Sequence, residues 1–177
     1  MPEDFADIVR EHQGMVFRTL TRMLGRTDAV PDLAQEVFLR LHRALPQFGQ
    51  RARLSTYLYR IVVNVAQDEW KRRRRPEYRA ASLSDADPDW NPRLADQAPT
   101  TQAVLERREL QATVDVLLRQ LPSAERTALV LFHQEGQRYD QIAAVLDVPV
   151  NTVRTHLHRG RSRLARLLRE RLGRDDV

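Results

Sequence analysis

The stretch from Tyr139 to Leu172 leaves few folds open. Its first part, Tyr-Asp-Gln-Ile-Ala-Ala-Val-Leu, sets Ile142, Val145 and Leu146 at helical spacing, and Ala143 is small enough for a second helix to cross closely. Asp147-Val148-Pro149-Val150 then breaks the helix, because Asp147 tolerates left-handed backbone better than most residues and Pro149 favours extended geometry at Val148. A second helix is predicted from near Asn151. Val153, Leu157, Leu164 and Leu168 share one of its faces, while Arg154, Thr155, His158, Arg159 and Ser162 point elsewhere. One face packs and the other is left to read a groove, which is how a helix-turn-helix meets DNA.

Charged residues normally do no more than keep the outside of an amphipathic helix in water. Here the charge is too one-sided for that. Between Asn151 and Arg174 stand eight arginines (154, 159, 161, 163, 166, 169, 171 and 174) against one acid, Glu170. Such a density repels itself unless a polyanion relieves it. The formal net charge of +5 is a weaker argument than this distribution. Of 29 basic residues only Lys71 is lysine, which suits guanidinium contacts to phosphate and bases and equally suits a high-GC genome. The absence of cysteine excludes disulfides, zinc knuckles and thiol catalysis. No apolar run approaches the roughly 20 residues of a membrane span, and Met-Pro-Glu-Asp does not open a signal peptide, so a cytoplasmic protein without membrane insertion is expected.

Composition breaks once. Residues 81–102 hold Pro88, Pro92, Pro99 and the aspartates 85, 87, 89 and 96 with few aliphatic side chains, too little apolar surface to order a segment. On either side no strand-like alternation and no repeat occur. The expected fold class is therefore all-α: two small helical domains joined by a flexible acidic linker, with bounds 1–80, 81–105 and 106–177.

In the first domain, apolar residues at 5, 8, 9, 16, 17, 20 and 24 predict a helix from Phe5 to Leu24, and Leu33, Val37, Phe38, Leu41 and Leu45 predict another from Asp32 to Leu45. The outer face of the second carries Asp32, Gln35, Glu36, Arg40 and Arg43, by default a solvated surface. A third helix, Ser55 to Arg75, ends in Lys71-Arg72-Arg73-Arg74-Arg75. One or two charges would satisfy its macrodipole, so five point to phosphate. Tyr57, Tyr59 and Trp70 share this helix with Arg60 and Asn64, the groups that stack on and hydrogen-bond to unpaired bases. Either tyrosine taken alone fits the core between helices as well.

Four blocks together resemble the extracytoplasmic-function (ECF) sigma factors, the minimal members of the bacterial sigma-70 family. Asp28-Ala-Val-Pro-Asp-Leu-Ala-Gln-Glu-Val-Phe38 is similar to the family's polymerase-binding helix, and Leu54-Ser-Thr-Tyr-Leu-Tyr-Arg-Ile-Val-Val-Asn64 to its promoter-melting helix. Leu121-Pro-Ser-Ala-Glu-Arg126 resembles the start of region 4, and Pro149-Val-Asn-Thr-Val-Arg-Thr-His-Leu-His-Arg159 the recognition helix. The resemblance implies roles that the residues alone do not assign. Asp32, Gln35, Glu36, Phe38, Leu39 and Arg40 fall on the surface that grips the β′ clamp helices of core RNA polymerase, and region 4 would meet the β flap. Phe48, Arg51, Arg53, Ser55, Thr56, Tyr57 and Asn64 fall where a base of the −10 element is captured, with Arg60, Lys71, Arg72 and Arg73 on the adjoining backbone. Arg154, Thr155 and His158 match positions facing −35 bases; Thr152, Arg159 and Arg163 match phosphate positions. Promoter DNA and core polymerase are the implied partners, an anti-sigma factor is a further one common in the family, and no enzyme activity, cofactor or metal is expected.

The chain departs from the family pattern in places. Tyr57 stands where tryptophan is frequent, and Leu54 where an aromatic is common. Asn151 replaces a common glycine, so that its amide is expected to cap the helix or reach DNA. Gly160 replaces alanine, at about 1 kcal/mol in a helix interior. The competing reading is a stand-alone helix-turn-helix regulator acting without polymerase, which leaves the polymerase-helix block unexplained.

Overall fold

The computed structural model describes the backbone of residues 4–25, 27–48, 53–74 and 102–173, and their side chains except those of 102–108 and 172. Among these residues there are helices and no strands. The expected linker core, Arg51 and Arg75 lie outside the described residues.

Helix α1 runs Phe5–Leu24, started by the Asp4 carboxylate, which accepts from the Ala6 N–H, and stopped at Gly25, whose φ of 82° suits a residue without Cβ. Helix α2, Ala29–Ala44, begins three residues before the expected Asp32. Pro31 lies in its first turn, where a missing N–H leaves nothing unsatisfied. A short 3₁₀ turn, Leu45–Gln47, follows, and α3 spans Leu54–Arg73. These three helices pack around Val16, Leu20, Val30, Val37, Leu41, Leu58 and Val62, all 0% exposed. Each such side chain contributes about 1.5–3 kcal/mol of burial.

Helix α4, Gln102–Leu118, starts within the segment expected as linker, since Gln102-Ala-Val-Leu-Glu-Arg-Arg-Glu is a run of good helix formers. Then come α5 (Ser123–Leu129), a π turn over Val130–Gln134, α6 (Tyr139–Leu146) and α7 (Val150–Leu172). The break expected at Asp147 is there: the residue is left-handed (φ 55°, ψ 48°), and its N–H and that of Val148 both reach the Ala143 carbonyl. Pro149, not Asn151, caps α7, its carbonyl accepting from Thr152 and Val153. The expectation that Asn151 caps the helix is therefore corrected; its Oδ1 accepts from Arg154 Nη1 at 3.0 Å. Gly160 also has its reason. It lies where α7 crosses α5, and a Cβ there would stand 2.9 Å from Leu129 Cδ1 and 3.4 Å from Glu125 Cβ.

The two helical groups do not sit apart. Buried residues form one continuous cluster from Ile8 to Leu157, and α3 packs along α6.

Candidate nucleic-acid and polymerase interfaces

On α7, Val153 and Leu157 are 0% and 1% exposed and anchor the helix, which turns Arg154, Thr155, His158 and Arg159 to solvent. Thr155 and Ser162 donate their hydroxyls to the Asn151 and His158 carbonyls one turn earlier, while Thr152 is half-buried. The other arginines are partly engaged. Arg163 pairs with the buried Glu125 at 3.0 Å, Arg166 with Glu170 at 3.7 Å, and Arg161 donates to His133 Nε2 at 3.2 Å. Burial, and then the Arg161 charge, hold the His133 imidazole below its ordinary pKa, so it accepts as the neutral ring. The arginine excess is thus sorted: Arg161 and Arg163 tie α7 to the π turn and to α5, Arg166 pairs along α7 itself, and Arg154 and Arg159 remain on the exposed face.

A second face runs along α3. Arg53, Arg60, Asn64 and Lys71 are exposed at helical spacing, and Ser55, Thr56 and Tyr57 are half-buried at its start, with the Phe48 ring tilted on Tyr57 at 5.1 Å. The distal arginines have another occupation. The buried Glu69 accepts from Arg72 Nε at 2.7 Å and Nη2 at 3.1 Å and from Arg73 Nε at 2.8 Å. Burial alone would raise the Glu69 pKa, but these bonds outweigh it and hold it below the ordinary carboxylate value. Arg73 also reaches the Leu24 carbonyl and Thr27 Oγ1, bracing the corner between α1 and α2. The sequence signal for this was an acid four residues before an arginine, overlooked beside the basic run.

The aromatic arrangement differs from the expected open stacking platform. Tyr59 is 6% exposed, and its hydroxyl donates to Glu135 at 2.9 Å. Burial first, then the Glu135 charge, push its phenol pKa up. Trp70 is covered by Arg126 at 3.7 Å and Arg74 at 4.4 Å. Packing against the second lobe buries more ring surface than an open face would, so both rings lie in the seam and Tyr57 alone stays beside the candidate base pocket.

The third face lies between α2 and α3. Asp32 and Gln35 are exposed, Glu36 and Arg40 flank a groove that also takes in Leu33 and Asp68, Phe38 is half-buried, and Leu39 is 44% exposed. Arg40 donates to Glu36 at 2.7 Å and lies 3.5 Å from Asp68, which keep its pKa raised. Asp68 went unnoticed in the sequence because nothing local marks it as α2's neighbour. Among the described residues no group of three or more His, Cys, Asp or Glu is placed to hold a metal ion.

Residues 8–76 match the family model for sigma-70 region 2, and residues 111–164 that for sigma-70 region 4. The ECF RNA polymerase sigma factor SigW of Bacillus subtilis is 32% identical over 168 residues, 94% of this chain and 89% of that protein. The RNA polymerase sigma-H factor of Pseudomonas aeruginosa is 32% identical over 162 residues, 91% of this chain and 84% of that one. Among solved structures, the sigma factor RpoE of Bartonella quintana, in complex with the anti-sigma factor NepR, shares the fold at a TM-score of 0.71 and 18% identity over 94% of this chain and 98% of that one. CnrH, in complex with the cytosolic domain of CnrY, superposes at 0.65 with 25% identity over 93% of this chain and 86% of its own. Both regions, in order and on the elements that carry the three faces, place this chain in the sigma-70 family as an ECF sigma factor.

Proposed function

We propose that the chain works as a two-lobed promoter clamp on core RNA polymerase. Residues 1–80 dock the polymerase and capture the −10 element, 106–177 read the −35 element, and 81–105 tether the two. The observation that carries this reading is the pair of solvent-facing surfaces on matched regions: the α2–α3 groove with Asp32, Glu36 and Arg40, and the α7 face with Arg154, Thr155 and His158. A guanidinium near the start of a recognition helix can bond bidentately to guanine. Thr152, Arg159 and Arg163 would hold phosphates, which position without specifying. Region 4 would also contact the β flap.

At the other end, Phe48, Arg51, Arg53, Ser55, Thr56, Tyr57 and Asn64 would hold an extruded base, a task of a few kcal/mol, with Arg60, Lys71, Arg72 and Arg73 on the backbone. Glu69 must share the last two with DNA. The chain itself then needs no catalytic group, since phosphodiester chemistry belongs to the polymerase. The working place is the cytoplasm; among the described residues no helix is long and apolar enough to cross a membrane.

The sigma factor RpoE bound to the anti-sigma factor NepR supports a protein inhibitor for this chain also, one that would cover the DNA faces. The test of the docking reading is co-elution with core polymerase in size-exclusion chromatography. The wild type should co-elute, and Asp32→Lys with Glu36→Lys should not. Tight operator binding together with failure to co-elute would favour the stand-alone regulator instead.

A further inference from the structure

Glu135 is the most enclosed acid of the seam: its side chain is 0% exposed. It comes from the second lobe, yet among the described residues the donors to its carboxylate come from the first. Arg18 donates from Nε at 3.2 Å and Nη2 at 3.0 Å, Arg22 from Nη1 at 2.7 Å, and Tyr59 from its hydroxyl at 2.9 Å. Arg18 and Arg22 lie one turn apart on α1, and Tyr59 meets them from α3, so one carboxylate collects two cations and a phenol. The backbone is bent to deliver it. The Glu135 N–H reaches back to the Val130 carbonyl at 3.1 Å, Gly136 takes a φ of 64°, and the Gln137 N–H closes on the Leu131 carbonyl at 2.8 Å. Arg22 also holds the Gln134 carbonyl at 3.1 Å.

We propose that Arg18, Arg22 and Tyr59 form a carboxylate receptor on the first lobe, and that Glu135 in this receptor latches the two lobes shut over part of the single-strand-binding face. The second half of this statement rests on the sigma reading. The latch itself does not. Closure buries Tyr59, partly covers Trp70 and brings Arg60 to 3.4 Å from Asp147, whereas Arg53, Asn64 and Lys71 along the same helix and Asp32 and Gln35 on the docking face stay exposed. A closed molecule can therefore still meet polymerase while its melting helix is partly covered.

The seam also carries an element that resists closure. Arg126 is 2% exposed and lies over Trp70, its Nε and Nη1 have no hydrogen-bond partner among the described residues, and Arg119 and Arg74 stand near it. Burial first, then those two charges, push its pKa down to about 10. A seam shaped only for stability would set an acid there. An enclosed, satisfied carboxylate on one side and a buried guanidinium with two unpaired nitrogens on the other act in opposite directions on the closed state, so a docking partner that favours the open one works against a reduced barrier of contacts.

The 177-residue chain suits a direct test because it has no cysteine. Dyes on Gln13→Cys and Glu170→Cys, both exposed positions, report the lobe separation by energy transfer. Glu135→Ala should raise the open fraction by about tenfold, and so should Arg18→Ala with Arg22→Ala on the opposite lobe. Arg126→Met should shift the population toward the closed state. Helical circular dichroism monitors folding, and a local folding defect in one lobe would not be mirrored by the variant in the other. With Glu135→Ala, the affinity of the free protein for a dye-labelled single-stranded DNA of mixed sequence should also rise by about tenfold. Unchanged energy transfer in both latch variants overturns the latch. Opening without a gain in single-strand affinity overturns its gating of the nucleic-acid face. A chain that opens as expected yet supports no promoter-dependent transcript overturns the sigma reading and leaves the latch standing.

Discussion

Replacing Glu69 by Gln isolates the staple that orients Arg72 and Arg73 at the end of α3, from where Arg73 reaches Leu24 and Thr27. Glutamine keeps the shape and one acceptor oxygen but removes the charge that three guanidinium hydrogen bonds converge on. Bonds to a charged group contribute about 1.5–3 kcal/mol each. The Arg72 side chain is 55% exposed, so water replaces most of its share, whereas Arg73 is 24% exposed and loses more. Relief of the Glu69 desolvation offsets part of the loss, leaving about 2 kcal/mol. For a chain of this size that is a fall in Tm of about 4–8 °C, read by thermal unfolding at neutral pH.

The pH dependence has a definite sign. The Glu69 pKa is lower folded than its ordinary 4.5, so its stabilisation is fully present above that value and fades as the pH falls through the folded value. The gap between wild type and Glu69→Gln should therefore close on acidification below about pH 4.5. An unchanged Tm at neutral pH, or a gap that persists in acid, would refute the staple.

Substituting Arg154 by Ala should cost about 1–3 kcal/mol of discrimination between −35 duplexes while leaving Tm unchanged, measured by anisotropy of the holoenzyme on single-base variants. A loss equal for all sequences would make Arg154 a phosphate contact. Asn64→Ala should slow promoter opening, followed by permanganate reactivity, more than it weakens the closed complex; equal effects on both steps would undo the assignment of Asn64 to base capture. Leu157→Ala, at a position 1% exposed, should destabilise the chain by about 2–5 kcal/mol in denaturant titration.

The helices were legible where local chemistry decides them. Phe5–Leu24 has its bounds written in Asp4 and Gly25, and the break at Asp147 follows from a residue tolerant of left-handed backbone next to Val148-Pro149. The exposed face of α7 was legible for the same reason, since a single helix carries both its buried and its exposed sides. What was hidden depends on contacts distant in sequence. Arg18 and Glu135 are 117 residues apart, and an arginine beside a tyrosine reads alike whether it awaits a base or holds a buried carboxylate. Gly160 looked like a defect because its reason, Leu129, sits on another helix. The π turn over Val130–Gln134 leaves no periodic trace; it ends on the Glu135 N–H, which reaches the Val130 carbonyl.

The central claim is that this chain directs core RNA polymerase to promoters with both lobes at once. Run-off transcription on a library of genomic fragments, with core polymerase and the purified chain, tests it most directly. The account predicts transcripts that require the chain and start downstream of a shared pair of −35 and −10 elements, with Arg154→Ala relaxing the first and Asn64→Ala impairing opening at the second. Transcription no higher than that of core polymerase alone, or starts sharing no upstream pair, would contradict it.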